Sequence, residues 1–138
     1  TEDLQTSIPG IFSCGNSLFV YDLVDQVTRD AYQAGEAAVN YIRGKKHARP
    51  EIEVAAGRGI SQLIPEKITG TDGVEFKIRV KQPFVQARLS IKGTRLKRIQ
   101  KYLNPGEMAL WRVRREDFSK YEISKHQKIV VEAEGYEN

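Results

Sequence analysis

The spacing of apolar residues changes once along this chain, and that change limits what the chain can fold into. From Leu23 to Ile42 apolar and small residues recur every three or four positions, which predicts one amphipathic helix. Further on, Val74, Phe76 and Ile78 alternate with charged residues, which predicts a strand with one buried face. We therefore expect a helical N-terminal part and a mainly β C-terminal part.

The C-terminal part contains enough alternating segments for two packed sheets. We predict strands at 74–80, 85–91 and 129–133, further strands at 60–64, 96–103 and 108–114, and a short helical turn or loop at 115–121. Asn104-Pro105-Gly106-Glu107 predicts a tight turn, because Pro fixes its second position and Gly accepts positive φ at the third. Short strands at regular spacing favour an antiparallel β-sandwich of immunoglobulin or fibronectin type, with a small Greek-key barrel as the alternative.

The two parts meet at a basic segment, R-G-K-K-H-A-R-P at 43–50. Gly44 is expected to end the helix, the cations suit its negative end, and Pro50 marks a linker. We interpret the segment as a solvated linker and predict three parts: 1–43, a linker at 44–50, and a β domain at 51–138.

Composition excludes several classes of protein. The chain is 40% hydrophobic and 29% charged with a net charge of +4, and no apolar run approaches the ~20 residues of a membrane span. Its one cysteine, Cys14, and two histidines, His47 and His126, provide neither a disulfide framework nor a metal cluster, and no catalytic triad is visible. We expect a reducing, cytoplasmic compartment, and no catalytic or metal-binding residue within this chain.

Residues 6–16 read T-S-I-P-G-I-F-S-C-G-N and lead into the predicted helix. The apolar stretch at 8–14 suits the end of a buried strand, Gly15 and Asn16 a turn, and Asp22 a helix cap. Small helix residues, Ala34 and Gly35 among them, would allow a neighbouring backbone to approach closely. This order resembles the last flavin-contacting segment of FAD-dependent pyridine nucleotide (disulfide) oxidoreductases, which have two dinucleotide-binding folds.

The resemblance implies that this chain is the C-terminal part of such an enzyme. In the family the segment ends in Gly-Asp and the acid binds the ribityl chain of FAD, so Gly15 and Asn16 become the cofactor-binding candidates. The C-G-N form, with L-V-D at 23–25, is most similar to NAD(FAD)-dependent dehydrogenases, which have a β-rich appendage. FAD and NAD(P) would then belong to the intact enzyme, and we expect the fragment alone to be inactive and to bind no FAD. The alternative is an ordinary turn at Gly15 and Asn16.

The same resemblance implies partners. These are the missing N-terminal FAD and NAD domains and a companion dehydrogenase subunit, and the small helix face predicts a homo-oligomer. The second hypothesis is a basic β-sandwich that binds a protein subunit or nucleic acid. It depends on cations spread over 88–101, with Tyr102 and Trp111 nearby; they are Arg88, Lys92, Arg95, Lys97, Arg98 and Lys101. We rank nucleic acid last, because alternating cations commonly protect a sheet edge.

Overall fold

The structure is a computed structural model that describes residues 1–45, 52–69 and 72–136. The chain divides into two compact units, an N-terminal unit, Thr1–Arg49, and a C-terminal unit, Pro50–Asn138. The division lies within the predicted linker at 44–50, of which residues 46–50 fall outside the described residues. Each unit is described by itself below.

The N-terminal unit begins with a closed loop instead of a strand. A single antiparallel bridge joins Gln5 to Phe12, and the Ser13 amide donates to the Leu4 carbonyl at 2.9 Å. The prediction of a buried strand end at 8–14 was wrong: Ile8 and Ile11 are exposed, and the described residues of this unit contain no strand. The physical reason is that a strand needs a neighbour to pair with, and the loop pairs only with itself.

A short 3₁₀ helix, Gly15–Ser17, precedes the long helix α1, Val24–Ile42. Asp22 does not cap α1 as predicted, because Leu23 occupies the cap position and no side chain bonds there. The end of α1 is as predicted: Gly44 has φ +69°, and its amide donates to the Tyr41 carbonyl at 3.0 Å. Near that end, Phe12 packs edge-on against Tyr41 with ring centroids 6.2 Å apart, which joins the loop to the helix.

The C-terminal unit is mainly β and consists of two sheets. Its strands are β1, Ile52–Ala56; β2, Ile60–Ile64; β3, Lys67–Ile68; β4, Val74–Val80; β5, Phe84–Ile91; β6, Lys97–Leu103; β7, Ala109–Val113; and β8, Lys128–Gly135. The larger sheet has the order β3-β1-β8-β5-β6, and the smaller has the order β2-β4-β7. A short helix α2, Arg115–Lys120, and a 3₁₀ turn, Ile123–Lys125, connect β7 to β8.

All six predicted strands are present, but the expected purely antiparallel pairing was wrong at one position. The first strand, β1, runs parallel to the last strand, β8, with Val54 opposite Ile129. Neither β1 nor the short β3 was predicted. Because β1 and β8 lie at opposite ends of this unit in sequence, no local pattern indicates that they pair.

The inner faces of both sheets contribute to one hydrophobic core, as in a β-sandwich. Phe76 on β4, Leu89 on β5 and Val131 on β8 are fully buried in it. Phe118 of α2 and Ile123 of the 3₁₀ turn belong to the same core. The alternation of apolar residues in the sequence therefore identified most of the buried positions. It was wrong at Val85, which is 72% exposed, and it did not predict that Lys77 and Arg79, on the other face of β4, are also buried.

Candidate functional site

Gly15, the first cofactor-binding candidate, is buried in the N-terminal unit with φ +66°. An added Cβ would meet only Val27 Cγ1, at 3.6 Å, which is an ordinary van der Waals distance. The glycine is therefore required by the left-handed backbone conformation and not by lack of space.

Asn16, the second candidate, is exposed directly beside Gly15. Its Oδ1 accepts a hydrogen bond from the Tyr21 amide at 3.3 Å, which closes the loop that leads into α1. The amide nitrogen of Asn16 makes no hydrogen bond to any described residue, and Oδ1 retains a second acceptor site. Asn16 therefore holds the loop and still has a donor and an acceptor for a ligand hydroxyl.

Backbone hydrogen bonds fix the turn itself. The Gly15 carbonyl accepts from the Leu18 and Phe19 amides at 3.0 and 3.2 Å. The Ser17 hydroxyl donates to the Cys14 carbonyl at 2.8 Å. The two candidates are consequently presented by an ordered turn at the entrance to a long helix.

A buried pair that the sequence did not reveal connects this loop to α1. The Tyr21 hydroxyl donates to the carboxylate of Asp30, a fully buried residue on α1, and Arg29 Nε lies 4.0 Å from Asp30 Oδ1. Burial, then the hydrogen bond to Asp30 and the negative charge of that carboxylate, raise the pKa of Tyr21. The one available signal was spacing, since Asp30 precedes the buried Ala34 and Ala37 at helical intervals.

The predicted small face of α1 is only partly covered. Ala34 is buried and Val27 and Ala38 are half-buried, whereas Leu23, Ala31, Gly35 and Ile42 are exposed. An added Cβ on Gly35 would meet nothing within 4 Å. At 100° per residue, Val24, Ala31, Gly35 and Ile42 lie along one side of α1, which we call the exposed stripe.

The remaining reactive side chains form no cluster in the part of the chain that the structure describes. Cys14 is a half-buried free thiol, His126 is exposed, and His47 lies outside the described residues. No group of three or more His, Cys, Asp or Glu within residues 1–45, 52–69 and 72–136 could hold a metal ion.

Half of the cations in the basic strip of the second hypothesis lie on an edge strand. Lys97, Arg98 and Lys101 are exposed on β6, the outermost strand of the larger sheet. Trp111 is buried against Phe76 with ring centroids 6.1 Å apart, so it is not available for stacking on a base. Tyr102 remains exposed beside these cations.

Comparisons with protein families, with curated proteins and with solved structures find no match to this chain. Neither helix in the described residues has the length and apolar character to cross a membrane.

Proposed function

We propose that this chain is the C-terminal part of an FAD-dependent, NAD(P)-linked oxidoreductase. On this proposal the N-terminal unit supplies one edge of the flavin site, and the C-terminal unit is an accessory sandwich of immunoglobulin or fibronectin type. The catalytic flavin would be held mainly by domains that precede this segment in the intact enzyme, so the chain alone is inactive and binds no FAD.

The observation that supports the proposal most is the conformation of the Gly15–Asn16 turn. A glycine in the left-handed region, followed by an exposed amide side chain and then a long helix, suits a segment that approaches a cofactor closely. Gly15 would let the backbone reach the ribityl region, and Asn16 would hydrogen-bond a ribityl hydroxyl. The flavin would supply the redox chemistry, and this chain would position it.

The exposed stripe gives further support. Val24 and Ile42 are 79% and 82% exposed, and Gly35 has open space where a Cβ would be. Apolar and small residues on one helix side are expected where a sheet or a second helix covers them. In an intact dinucleotide fold that cover would be a sheet of the FAD domain, and in this chain alone it would be a second copy.

The test is to express the full open reading frame that contains this chain and to record its absorbance after gel filtration. We expect a yellow protein with stoichiometric FAD. Asn16→Leu removes the donor and the acceptor, so we expect FAD affinity to fall about tenfold, whereas Asn16→Asp keeps an acceptor and should retain the affinity. Gln82→Leu, an exposed change in the C-terminal unit, is the control. A colourless full-length protein would contradict the proposal.

A second candidate function is a binding module formed by the sandwich. It is favoured by the exposed cations of β6, namely Lys97, Arg98 and Lys101. This function is independent of flavin, since it needs only the C-terminal unit.

A further inference from the structure

The larger sheet of the C-terminal unit has a free edge at β6. The Ile91 amide donates to the Leu96 carbonyl at 3.3 Å, so the main chain of Leu96 faces β5. Because main-chain groups alternate in direction along a strand, those of Lys97 and Ile99 face away from β5. Among the described residues no strand pairs with β6 on that side. The amides and carbonyls of Lys97 and Ile99 are therefore open to a further strand.

The side chains of these two residues lie on the outer face of the sheet. Arg98, between them, is the register partner of Leu89, which is fully buried, so Arg98 lies on the inner face. Successive side chains of a strand point to opposite faces, which places Lys97 and Ile99 outside. Lys97 is exposed, and Ile99 is 49% exposed. A further strand at this edge would lie beside a cation and an apolar side chain on one face.

Exposed apolar surface continues beyond Ile99. Leu103 is buried in the core, so the preceding residue, Tyr102, and its register partner Val85 point outward. Tyr102 and Val85 are 59% and 72% exposed. Lys101 Nζ lies 5.4 Å from the centroid of the Tyr102 ring. The outer face beside β6 therefore carries apolar side chains with a lysine at either end.

The cations of β6 disfavour a second copy of the chain at this edge. Antiparallel pairing of two copies centred on Lys97 or on Arg98 would place that residue opposite itself. Pairing centred on Ile99 would place Lys97 opposite Lys101. Like charges directly opposite each other destabilise a strand pair, so each of these registers is unfavourable.

The same charges favour an acidic partner. β6 contains no acid, and neither Lys97 nor Lys101 forms an ion pair within the part of the chain that the structure describes. On the neighbouring strands Glu134 of β8 is already bonded to Arg88 of β5. Phosphates of a nucleic acid would pair with the lysines but would not match the alternating amides and carbonyls of a strand edge. An extended peptide with acidic side chains satisfies both requirements.

We propose that an extended acidic segment of a partner protein adds antiparallel to β6, as a sixth strand of the larger sheet. An acid would lie opposite Lys97 and an apolar residue opposite Ile99, two positions apart in the partner and therefore on the same face. A second acid, two positions further on, would reach Lys101. This inference deepens the second candidate function, the binding module, and does not depend on the flavin proposal.

The probe is a synthetic peptide with the length of a long strand, Glu-Thr-Val-Thr-Glu-Thr-Val-Thr-Glu. Calorimetric titration of the 138-residue chain at low salt should detect binding that weakens as salt rises. Lys97→Glu should lower the affinity about tenfold, with the fluorescence of buried Trp111 confirming that the sandwich is intact. Lys67→Glu, on β3 at the opposite edge of the same sheet, is the matched charge control and should leave the affinity unchanged.

A rearranged peptide tests the pattern of side chains. Glu-Thr-Thr-Val-Glu-Val-Thr-Thr-Glu has the same composition, but its valines lie on the face opposite its glutamates. It should bind more weakly than the first peptide, because its valines cannot cover Ile99 while its glutamates pair with the lysines. Equal binding of the two peptides would reduce the interaction to charge attraction and overturn the proposal.

Two N-methylated forms of the first peptide test strand addition itself. In an antiparallel pair the residues opposite Lys97 and Ile99 direct their amides at β6, and the residues between them direct theirs away. N-methylation of the glutamates and valines should therefore abolish binding, whereas N-methylation of the threonines should preserve it. Equal binding by the two methylated peptides, or no binding of the unmodified peptide, would overturn the proposal. Binding of oligothymidylate but not of the peptide would keep the binding module and overturn the acidic partner.

Discussion

The two units of this chain differ in how completely they bury their apolar residues. In the C-terminal unit nearly every buried hydrophobic residue belongs to one core that both sheets share. In the described part of the N-terminal unit only Leu4, Phe19, Ala34 and Ala37 are buried hydrophobics, while Val24 and Ile42 remain exposed. The comparison indicates that the sandwich carries its own core, whereas α1 keeps apolar residues exposed along one side.

The largest expected effect is in the sandwich core. Phe76 is fully buried on β4, so Phe76→Ala should lower the free energy of unfolding by about 3–5 kcal/mol through lost burial and the cavity left behind. Val24→Ala, at a 79% exposed position on α1, should change it by less than about 0.5 kcal/mol. Urea titrations of both variants make the comparison. Similar losses in the free energy of unfolding for the two variants would contradict the difference between the units.

A smaller effect is expected at the buried pair of the N-terminal unit. Tyr21→Phe keeps the edge-on ring contact with Phe19 but leaves the buried Asp30 carboxylate without its phenol donor. The expected cost is about 1–3 kcal/mol, measured as loss of helical circular dichroism on heating. Tyr32→Phe, on the exposed side of α1, should have no effect.

The same pair predicts a dependence on alkaline pH. Because the pKa of Tyr21 is raised in the folded protein, its hydroxyl stays protonated where an unfolded tyrosine ionises. Its contribution to stability is complete below about pH 10 and is lost progressively as the pH rises above that value. An ultraviolet titration should show a tyrosine that ionises above the pH of an unfolded tyrosine, and Tyr21→Phe should remove that step. A titration that Tyr21→Phe leaves unchanged would contradict this.

Replacing either of two glycines of the N-terminal unit with alanine should change stability, but in opposite directions. Gly15→Ala forces a left-handed alanine and should destabilise by about 1–2 kcal/mol. Gly35→Ala adds a methyl group into open space within a helix and should stabilise by roughly 0.5–1 kcal/mol. In the intact enzyme that we propose, Gly35→Ala should instead destabilise, because a sheet would cover it. Thermal melts of both variants, in the chain alone and in the full-length protein, provide the measurement.

The smallest effect of a substitution should be on self-association through the exposed stripe. We expect light scattering of the chain alone to show a dimer or larger species that dissociates on dilution. Ile42→Glu places a charge on the stripe and should shift the species toward monomer, whereas Glu36→Lys, about a third of a turn away, should not. A strict monomer at all concentrations would contradict pairing through α1.

The sequence predicted the sandwich better than the N-terminal unit for a physical reason. Alternation at Val74, Phe76 and Ile78 reports a buried face directly, and the structure confirms that strand with the same bounds. The parallel pairing of β1 with β8 joins residues far apart in sequence, so local patterns do not contain it. At 8–14 an apolar run suggested a strand, but strand formation depends on a partner that the run itself does not specify.

The candidate site shows the same difference between what a local sequence pattern predicts and what depends on how the chain folds back on itself. The glycine needed at position 15 could be read from the sequence because a left-handed turn favours that residue. The contact of Asn16 with the Tyr21 amide and the pairing of Tyr21 with Asp30 could not, since both depend on how the loop folds back onto α1. Whether Gly15 and Asn16 bind FAD stays a prediction.

Hydrogen exchange of the chain alone tests the difference between the units most directly. Amides of β4, β5 and β8 should exchange only through global unfolding, because these strands flank the shared core. Amides of α1 should exchange at least about tenfold faster, through local opening of a helix with one uncovered side. Protection of α1 equal to that of β8 would show that the helix needs no further cover, and would contradict its assignment as part of a larger cofactor domain.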